Sequence, residues 1–325
     1  MSKIRLIADI GGTNARFALC VGDQVQNELE VQCANFPTII DAAEHYLKQV
    51  GAHNDRPSEA AFAIAAALNG DHIQLTNSHW QFSVQAVCNE LKLTRLIVVN
   101  DFTALAMSIR HLQDNELMRV GGLQPEPNKP MAVLGPGTGL GVSGLIPLGD
   151  KWIPLEGEGG HVSWSPANNR ETAVLNQLWQ RFDHVSAERV LSGMGLVNLY
   201  TTLCVLDARL PNNYEPADIT QHALNATDPV CVETLNMFCG ILGTAAGNLV
   251  LTLGAKGGVY IAGGIVPRLG DYFLRSPFRQ RFESKGRYGT YLSTVPAYVM
   301  TAKRPAFTGL AHAFDSTGPR IEVTG

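Results

Sequence analysis

The stretch Asp9-Ile10-Gly11-Gly12-Thr13-Asn14 decides the fold class predicted for this chain. The apolar residues 4–8 before it and residues 17–20 after it each have the pattern of a buried strand. Glycine allows close approach of the backbone and positive φ, and consecutive backbone N–H groups in such a turn bind phosphate. The threonine adds a hydroxyl donor. The stretch therefore predicts a phosphate-binding turn between two strands.

A second stretch, Gly135-Pro136-Gly137-Thr138-Gly139-Leu140-Gly141, repeats this order of strand, Gly-Thr turn and strand 125 residues later. A tight hairpin without a ligand explains either turn alone. Two such turns, each with Gly-Thr, favour two similar units that together bind one phosphate-bearing ligand.

Two better-known phosphate motifs do not apply. The chain lacks Gly-x-x-x-x-Gly-Lys-Ser/Thr, so it is not a P-loop protein. Gly139, Gly141 and Gly144 match Gly-x-Gly-x-x-Gly, but residues 145–148 have a strand pattern where a dinucleotide fold requires a helix. We expect this match to be accidental, which leaves an NAD-dependent oxidoreductase without other support.

The composition is that of a globular protein with two domains. The chain has 325 residues, more than a single hydrophobic core normally serves. Apolar residues make up 45% and charged residues 17%, and the formal net charge of −4 gives no long-range attraction to nucleic acid or anionic lipid. We therefore expect neither nucleic acid nor a membrane among the partners.

The cysteines and the N-terminal residues indicate a cytoplasmic protein. The six cysteines are scattered without zinc-site spacing, which predicts buried reduced thiols. The first residues show no signal-peptide core. Residues 234–255 carry no charge, but their glycine, threonine and asparagine residues favour a closely packed core helix over a membrane span.

Short apolar runs alternate with helical patterns, which predicts an α/β fold with partly parallel sheets. Residues 121–130, with three prolines and two glycines, predict a connection between structural units. The remaining predicted strands are residues 60–67, 96–99, 131–134 and 258–262, and the predicted helices are residues 103–112, residues 171–182 and a segment after Gly263-Gly264.

Asp101 is the candidate catalytic base. It follows the apolar run 96–99, and open α/β sheets bind ligands at the carboxyl ends of their strands. A carboxylate there can accept the proton of a hydroxyl that attacks phosphorus, as the catalytic aspartate of kinases does. The alternative is an N-cap for the helix that starts near Thr103. Asn100 beside it and the two phosphate turns favour catalysis.

Six motifs occur in the order seen in bacterial glucokinases, and the chain resembles that family from about residue 4 to about residue 314. The motifs are residues 9–14, 100–102, 135–141, 157–161, 186–189 and 262–268. The resemblance implies the two-domain actin-like ATPase (ribonuclease H-like) fold with a cleft between domains, and a homodimer. It implies a small α/β domain at residues 1–115, a large α/β domain at 116–299, and a C-terminal helix at about 300–325 that returns to the small domain.

The related branch of sugar kinases and repressors with a Cys/His zinc site is disfavoured. The run Gly157-Glu158-Gly159-Gly160-His161 is present, but no cysteine cluster follows it. The transcription factors of that branch carry an N-terminal helix-turn-helix segment, whereas the first phosphate turn here begins at residue 9.

The resemblance also implies the residues of the site. It implies that Asp101 is catalytic and that the glucose ligands are Asn100, Asp101, Glu158, His161 and Glu188. It implies ATP at Ala8, Asp9, Ile10, Gly11, Gly12, Thr13, Asn14, Gly137, Thr138, Gly263 and Gly264. Because magnesium favours carboxylate, water and phosphate oxygens, we expect the strand-end Asp9 to hold Mg²⁺, directly or through water.

Some of these residues have competing structural interpretations. Glu188 would sit in the first turn of a helix capped by Ser186, where negative charge is favourable. His161 alone would be a structural histidine, and Gly263-Gly264 a plain strand-to-helix turn. The expected activity is transfer of the γ-phosphoryl group of ATP to the 6-hydroxyl of glucose. A kinase for another hexose and a sugar-responsive regulator are the alternatives.

Overall fold

The computed structural model describes residues 3–53, 55–75 and 78–325. The strands are β1 (Ile4–Ile10), β2 (Asn14–Val21), β3 (Gln24–Gln32), β4 (Glu59–Ile64), β5 (His72–Gln74), β6 (Gln81–Ser83), β7 (Arg95–Asn100), β8 (Leu117–Arg119), β9 (Met131–Pro136), β10 (Leu140–Leu148), β11 (Lys151–Leu155), β12 (Val259–Ile261), β13 (Ala297–Met300) and β14 (Ile321–Val323). The helices are α1 (Ile39–Gln49), α2 (Val84–Glu90), α3 (Asp101–Ser108), α4 (Asn169–Leu178), α5 (Gly193–Leu206), α6 (Pro216–Leu224), α7 (Pro229–Leu253), α8 (Asp271–Arg275), α9 (Phe278–Glu283), α10 (Gly289–Thr294) and α11 (Pro305–Ala311).

The first sheet has the strand order β14-β7-β4-β1-β2-β3. Strands β1, β4 and β7 are parallel, and their register places Ile10, Ile64 and Asn100 in one row at the carboxyl ends. Strand β2 returns antiparallel to β1 across the predicted phosphate turn. All of β4 is buried, as expected of a parallel strand covered on both faces.

The second sheet repeats this arrangement, with the order β11-β10-β9-β12-β13-β8. Strands β9, β12 and β13 are parallel, in the places that β1, β4 and β7 hold in the first sheet. The internal repetition predicted from the two Gly-Thr stretches is therefore confirmed. Gly141 and Gly144 lie inside β10 rather than before a helix, so the dinucleotide match is accidental as predicted.

Separate hydrophobic cores surround the two sheets. Alternate residues of the first sheet face opposite sides: Leu6 and Phe62 belong to a core that includes residues of α1 and α2, whereas Ile7 and Ala61 belong to one that includes residues of α3 and α11. A third core joins the second sheet to helices α4–α10. The cysteines are free and buried, as the sequence predicted.

Helix α7 accounts for the long uncharged segment. By length and composition it could cross a membrane, but 67% of its most apolar 18-residue window is buried in protein. Added Cβ atoms at Gly243 and Gly247 would come within 2.2 Å of Phe278 O and 2.7 Å of Phe282 O. Because the small residues let α9 pack this closely, the predicted core helix is confirmed.

The chain divides into two compact units. Unit 1 contains the residues up to Glu116 together with Gly144–Glu156 and Ala302–Gly325, and unit 2 contains Leu117–Ser143 and Gly157–Thr301. The Pro/Gly-rich residues 121–130 join β8 to β9 of one sheet and lie wholly in unit 2. The prediction that they connect structural units is therefore wrong. They connect β8 and β9, two strands of one sheet that have β12 and β13 between them.

Two predicted helices need correction. The expected C-terminal helix at about 300–325 is limited to α11, because the chain then ends in β14, which pairs antiparallel with β7. The expected helix after Gly263-Gly264 begins as a short 3-10 turn at Val266–Leu269, and α8 follows only at Asp271.

Candidate active site

The first Gly-Thr turn is closed by its own backbone. Gly11 N donates to Asn14 O at 3.0 Å, and Cys33 N donates to Thr13 O at 2.9 Å. Thr13 itself is exposed, so its hydroxyl is accessible to a ligand. The turn is thus a small loop closed by hydrogen bonds at the carboxyl end of β1.

Asp9 lies at the end of β1, directly opposite Arg16 of β2. Arg16 Nη1 donates to Asp9 Oδ2 at 3.2 Å, and Arg16 Nε donates to Glu30 Oε2 at 2.8 Å. Burial raises the pKa of the Asp9 carboxyl above its ordinary value, and the Arg16 guanidinium opposes this shift. The Asp9 side chain remains 24% exposed. Arg16 was missed by the sequence reasoning, although the hairpin register points to it.

Asn100 and Asp101 occupy the same edge of the first sheet. Asn100 Oδ1 accepts from Phe102 N at 2.9 Å and from Thr103 N at 3.3 Å, so Asn100 is the N-cap of α3. Asp101 is the first helical residue, and its Oδ1 accepts from Phe102 N at 2.9 Å. The alternative that Asp101 is the cap is therefore wrong, because its neighbour fills that position.

The capping role limits what Asn100 can offer a ligand. Its oxygen accepts two backbone bonds, and Nδ2 donates to Ala66 O at 3.3 Å. An amide nitrogen carries two hydrogens, so one donor remains. Strands two places apart in a sheet lie about 10 Å from each other, so Asn100 at the end of β7 lies at this distance from Ile10 at the end of β1, where the first Gly-Thr turn begins.

The second Gly-Thr turn is built into unit 2. Gly137 N donates to Gly139 O at 2.8 Å, and Gly193 N, at the start of α5, donates to Gly137 O at 2.8 Å. Thr138 is exposed at the tip. The turn between Ala262 and Gly264 packs beside it: a Cβ on Gly263, which has φ +83°, would come within 2.3 Å of Pro136 O. The structure thus brings Gly137, Thr138, Gly263 and Gly264 together, as the shared ATP assignment requires.

The loop that carries Glu158 and His161 packs on the start of β10. A Cβ on Gly160 would lie 2.0 Å from Leu140 O, so only glycine fits there. His161 Nε2 lies 3.9 Å from Glu158 Oε2, and both side chains are 60% exposed. These two predicted sugar ligands are therefore adjacent and accessible.

Glu188 lies on the neighbouring segment and turns its carboxylate to the second Gly-Thr turn. Oε2 accepts from Leu140 N at 2.9 Å. The segment is joined to the Glu158 loop by Ala187 N donating to Val162 O at 2.8 Å. Residues 187–189 form a 3-10 helix with Ser186 at its N-cap position and Glu188 in its first turn, as predicted, but the Ser186 side chain makes no cap hydrogen bond. The Glu188 carboxylate is held by the second Gly-Thr turn.

The comparisons with known proteins identify the family and agree with the fold. The family model described as glucokinase matches residues 6–317. The glucokinase of Chromobacterium violaceum is 49% identical over 320 residues, covering 98% of this chain and 91% of that protein. The glucokinase of Neisseria gonorrhoeae is 48% identical over 310 residues, covering 95% of this chain and 94% of that protein.

Solved structures give the same result. The crystal structure of glucokinase from an Antarctic psychrotroph matches with a TM-score of 0.87 and 34% identity, covering 97% of this chain and 100% of that one. A glucokinase from Balamuthia mandrillaris in complex with glucose matches with a TM-score of 0.80 at 21% identity, covering 96% and 93%, which shows the fold.

The fold is that of the two-domain actin-like ATPases, and paired Gly-Thr turns with a strand-end aspartate place the chain among the sugar kinases. The full-length match to the family model and identities near one half are more specific. The chain belongs to the glucokinase family.

Proposed function

We propose that this chain transfers the γ-phosphoryl group of ATP to the 6-hydroxyl of glucose, giving glucose 6-phosphate. The observation that carries the proposal is Asp101 as the first residue of α3, next to the carboxyl end of β7. Helix N-termini favour negative charge, so the carboxylate is stabilised where a base is needed. The similarity to curated glucokinases over nearly the whole chain supports glucose as the acceptor.

Asp101 is the proposed general base. It orients the 6-hydroxyl and accepts its proton while O6 forms a bond to the γ-phosphorus. The bond from that phosphorus to the bridging oxygen breaks, and ADP leaves with the electron pair. Phosphoryl transfer needs little covalent assistance, so most of the rate comes from positioning.

Glu158, His161, Glu188 and Asn100 are the proposed ligands of the other sugar hydroxyls. Glu158 and His161 present two exposed polar groups side by side, and a carboxylate can accept bonds from two adjacent hydroxyls. Sites that pair with particular hydroxyls discriminate strongly, because an analogue leaves buried polar groups unpaired. This arrangement supports a hexose rather than a generic alcohol.

The ATP phosphates are assigned to the two Gly-Thr turns and the adenosine to Gly263-Gly264. The exposed hydroxyls of Thr13 and Thr138 are available as donors at the tips of the turns. A ligand can also approach the backbone at Gly264, because the space that a Cβ would occupy there has no other atom within 4 Å.

Asp9 fits a magnesium ligand. Arg16 binds its Oδ2, and Oδ1 accepts no hydrogen bond from the described residues. Within residues 3–53, 55–75 and 78–325 no group of three or more His, Cys, Asp and Glu side chains could hold a metal. Magnesium in kinases uses one or two carboxylates with water and phosphate oxygens, so a single carboxylate suffices. When bound, the ion neutralises charge on the phosphates.

A coupled assay tests the proposal directly. ADP production is followed with ATP, Mg²⁺ and a panel of glucose, mannose, fructose and N-acetylglucosamine, with ADP and polyphosphate as alternative donors. Preferential turnover of glucose with ATP is expected, and EDTA should abolish it. Preference for another sugar would reassign the acceptor, and no turnover with any sugar would refute the kinase function.

We infer further that the protein is cytoplasmic and forms a homodimer. The first inference is supported by the buried, unpaired cysteines and the second by the family resemblance. Analytical ultracentrifugation over a range of protein concentrations measures the dimer, and a single monomeric species at all concentrations would contradict it.

A further inference from the structure

The second Gly-Thr turn contains a glycine that its backbone does not require. Gly139 has no positive φ, so an L side chain is allowed there. By contrast, Gly263 in the adjacent turn has φ +83°. Something other than backbone conformation must therefore explain a glycine at position 139.

The space beside Gly139 is filled by the Glu188 carboxylate. A Cβ on Gly139 would lie 2.5 Å from Glu188 Oε2 and 3.4 Å from Glu188 Cδ. The same Oε2 accepts from Leu140 N at 2.9 Å, so it cannot retreat without losing this charge-assisted hydrogen bond. The missing side chain is what lets Glu188 reach the turn.

Glu188 is also held at its backbone. Ser192 Oγ donates to Glu188 O at 2.9 Å, and Gly193 N donates to Gly137 O at 2.8 Å. The segment from Glu188 to Gly193 is thus bonded at both ends to residues 137–140. A carboxylate has about four lone-pair sites, so Glu188 retains acceptors after binding Leu140 N.

We propose that Gly139 is a positioning residue for the sugar: the second phosphate turn sets glucose affinity by making room for the Glu188 carboxylate and fixing it through Leu140 N. The proposal rests on the proposed function, in which Glu188 binds glucose. It assigns Gly139 a role at the acceptor that is separate from phosphate contacts.

Glucose titrations without nucleotide, by isothermal calorimetry, test the proposal on the full chain. The variants are Gly139→Ala, Glu188→Ala, their double mutant, and Gly193→Ala. Position 193 is the matched control, since a Cβ there meets no atom closer than Pro216 Cγ at 3.5 Å, an ordinary van der Waals contact. Gly139→Ala should weaken glucose binding by about 10-fold or more, as expected for a displaced charged hydrogen-bond partner. Gly193→Ala should leave the glucose Kd within roughly 2-fold.

The double mutant distinguishes positioning from general damage to the turn. If Gly139 acts through Glu188, alanine at 139 has no further effect once that side chain is gone, and the double mutant binds glucose like Glu188→Ala. Additive losses would overturn the proposal, and so would unchanged affinity in Gly139→Ala. Normal affinity in Glu188→Ala would instead remove Glu188 from the sugar site, and the inference with it.

Folding of the variants gives a second readout. Gly139→Ala alone could unfold because of the 2.5 Å clash, but the double mutant removes the clashing carboxylate. Its melting temperature should therefore equal that of Glu188→Ala. A double mutant that fails to fold would show that Gly139 is needed for another reason.

Discussion

The contact between α3 and α11 gives a sharp test of the structure, because replacing a helical glycine by alanine is expected to lower stability here, whereas it usually raises it. Gly309 lies within α11 and faces α3. A Cβ there would lie 1.9 Å from Ala104 O and 3.2 Å from Ser108 N. An alanine at an exposed interior helix position normally adds about 1 kcal/mol of stability relative to glycine. Here we expect Gly309→Ala to destabilise.

The magnitude follows from the overlap. Carbon and carbonyl oxygen come no closer than about 3.3 Å, so α11 would have to move away from α3 by roughly 1.4 Å. This motion would open the core around Phe307 and Leu310, both 2% exposed or less. Overpacking costs about 1–3 kcal/mol and sometimes more, so we expect about 3 kcal/mol net. At about 2–4 °C per kcal/mol for a domain of this size, the melting temperature should fall by roughly 6–12 °C.

Differential scanning calorimetry measures the change, with Gly193→Ala, at the start of α5, as the control. A Cβ at Gly193 meets no atom closer than Pro216 Cγ at 3.5 Å, which is an ordinary van der Waals contact. That variant should keep its melting temperature within roughly 2 °C. Because α3 starts at Asp101, the folded fraction of Gly309→Ala should also lose kcat, by up to about 10²-fold. A melting temperature equal to or above that of the wild type would refute the close packing.

Three further predictions concern the site and the pH dependence of stability. Asp101→Asn should keep glucose binding but lower kcat by about 10² to 10⁴, the range for a lost general base; kcat within a few-fold of wild type would contradict this role. Glu158→Gln and Glu188→Gln should raise the glucose Kd in calorimetry because each loses a charged acceptor, and unchanged titrations would make both residues structural. His111 stacks on His312 at 3.5 Å between ring centroids, and burial, with that neighbour and Arg110, lowers the pKa of His111, while the Asp23 carboxylate opposes the shift. A histidine whose pKa is lowered in the folded state costs stability as the pH falls through its unfolded pKa near 6.5. Between pH 7.5 and 5.5 the melting temperature of His111→Gln should therefore fall by less than that of the wild type. An equal fall would show that the stack does not cause the pH dependence.

The sequence predicted the parts of the fold that come from local pattern. Residues 4–8 and 96–99 are apolar runs of the length of a strand, and they are the interiors of β1 and β7. The two Gly-Thr stretches predicted paired hairpins because the turn residues and the flanking strands are contiguous in sequence. The repetition of the two sheets follows from them.

The errors and omissions lie where distant residues decide the structure. The strand β14 has only three residues, too few for an alternation to be recognised, and it forms because β7 offers an open edge. Residues 121–130 look like a linker by composition, but composition cannot show that β8 and β9 belong to one sheet. The reason for Gly139 is a carboxylate 49 residues away.

In the candidate site, too, local sequence predicts some features and distant residues decide others. Asp101 is predicted as the base because a strand-end aspartate is a local signal. Its neighbour Asn100 proved to be the helix cap, and two side chains of similar capping ability cannot be ranked from sequence. Arg16 could have been found, since a three-residue turn in the hairpin sets Asp9 opposite it. The network from Arg16 through Glu30 to Arg304 could not, because Arg304 is 274 residues from Glu30.

The internal repetition explains why a single carboxylate is proposed for the metal. When Gly12-Thr13 is aligned with Gly137-Thr138, Asp9 corresponds to Leu134, which is 1% exposed in the core of unit 2. An aliphatic side chain there cannot bind a hard cation, so the second turn has no counterpart of the metal ligand proposed for the first. The second turn instead binds a carboxylate from outside the repeat, because Glu188 accepts a hydrogen bond from Leu140 N through the space beside Gly139. In the proposed enzyme the two copies of one turn thus serve different ends of the reaction: the first neutralises phosphate charge through Asp9, and the second links the phosphates to the sugar.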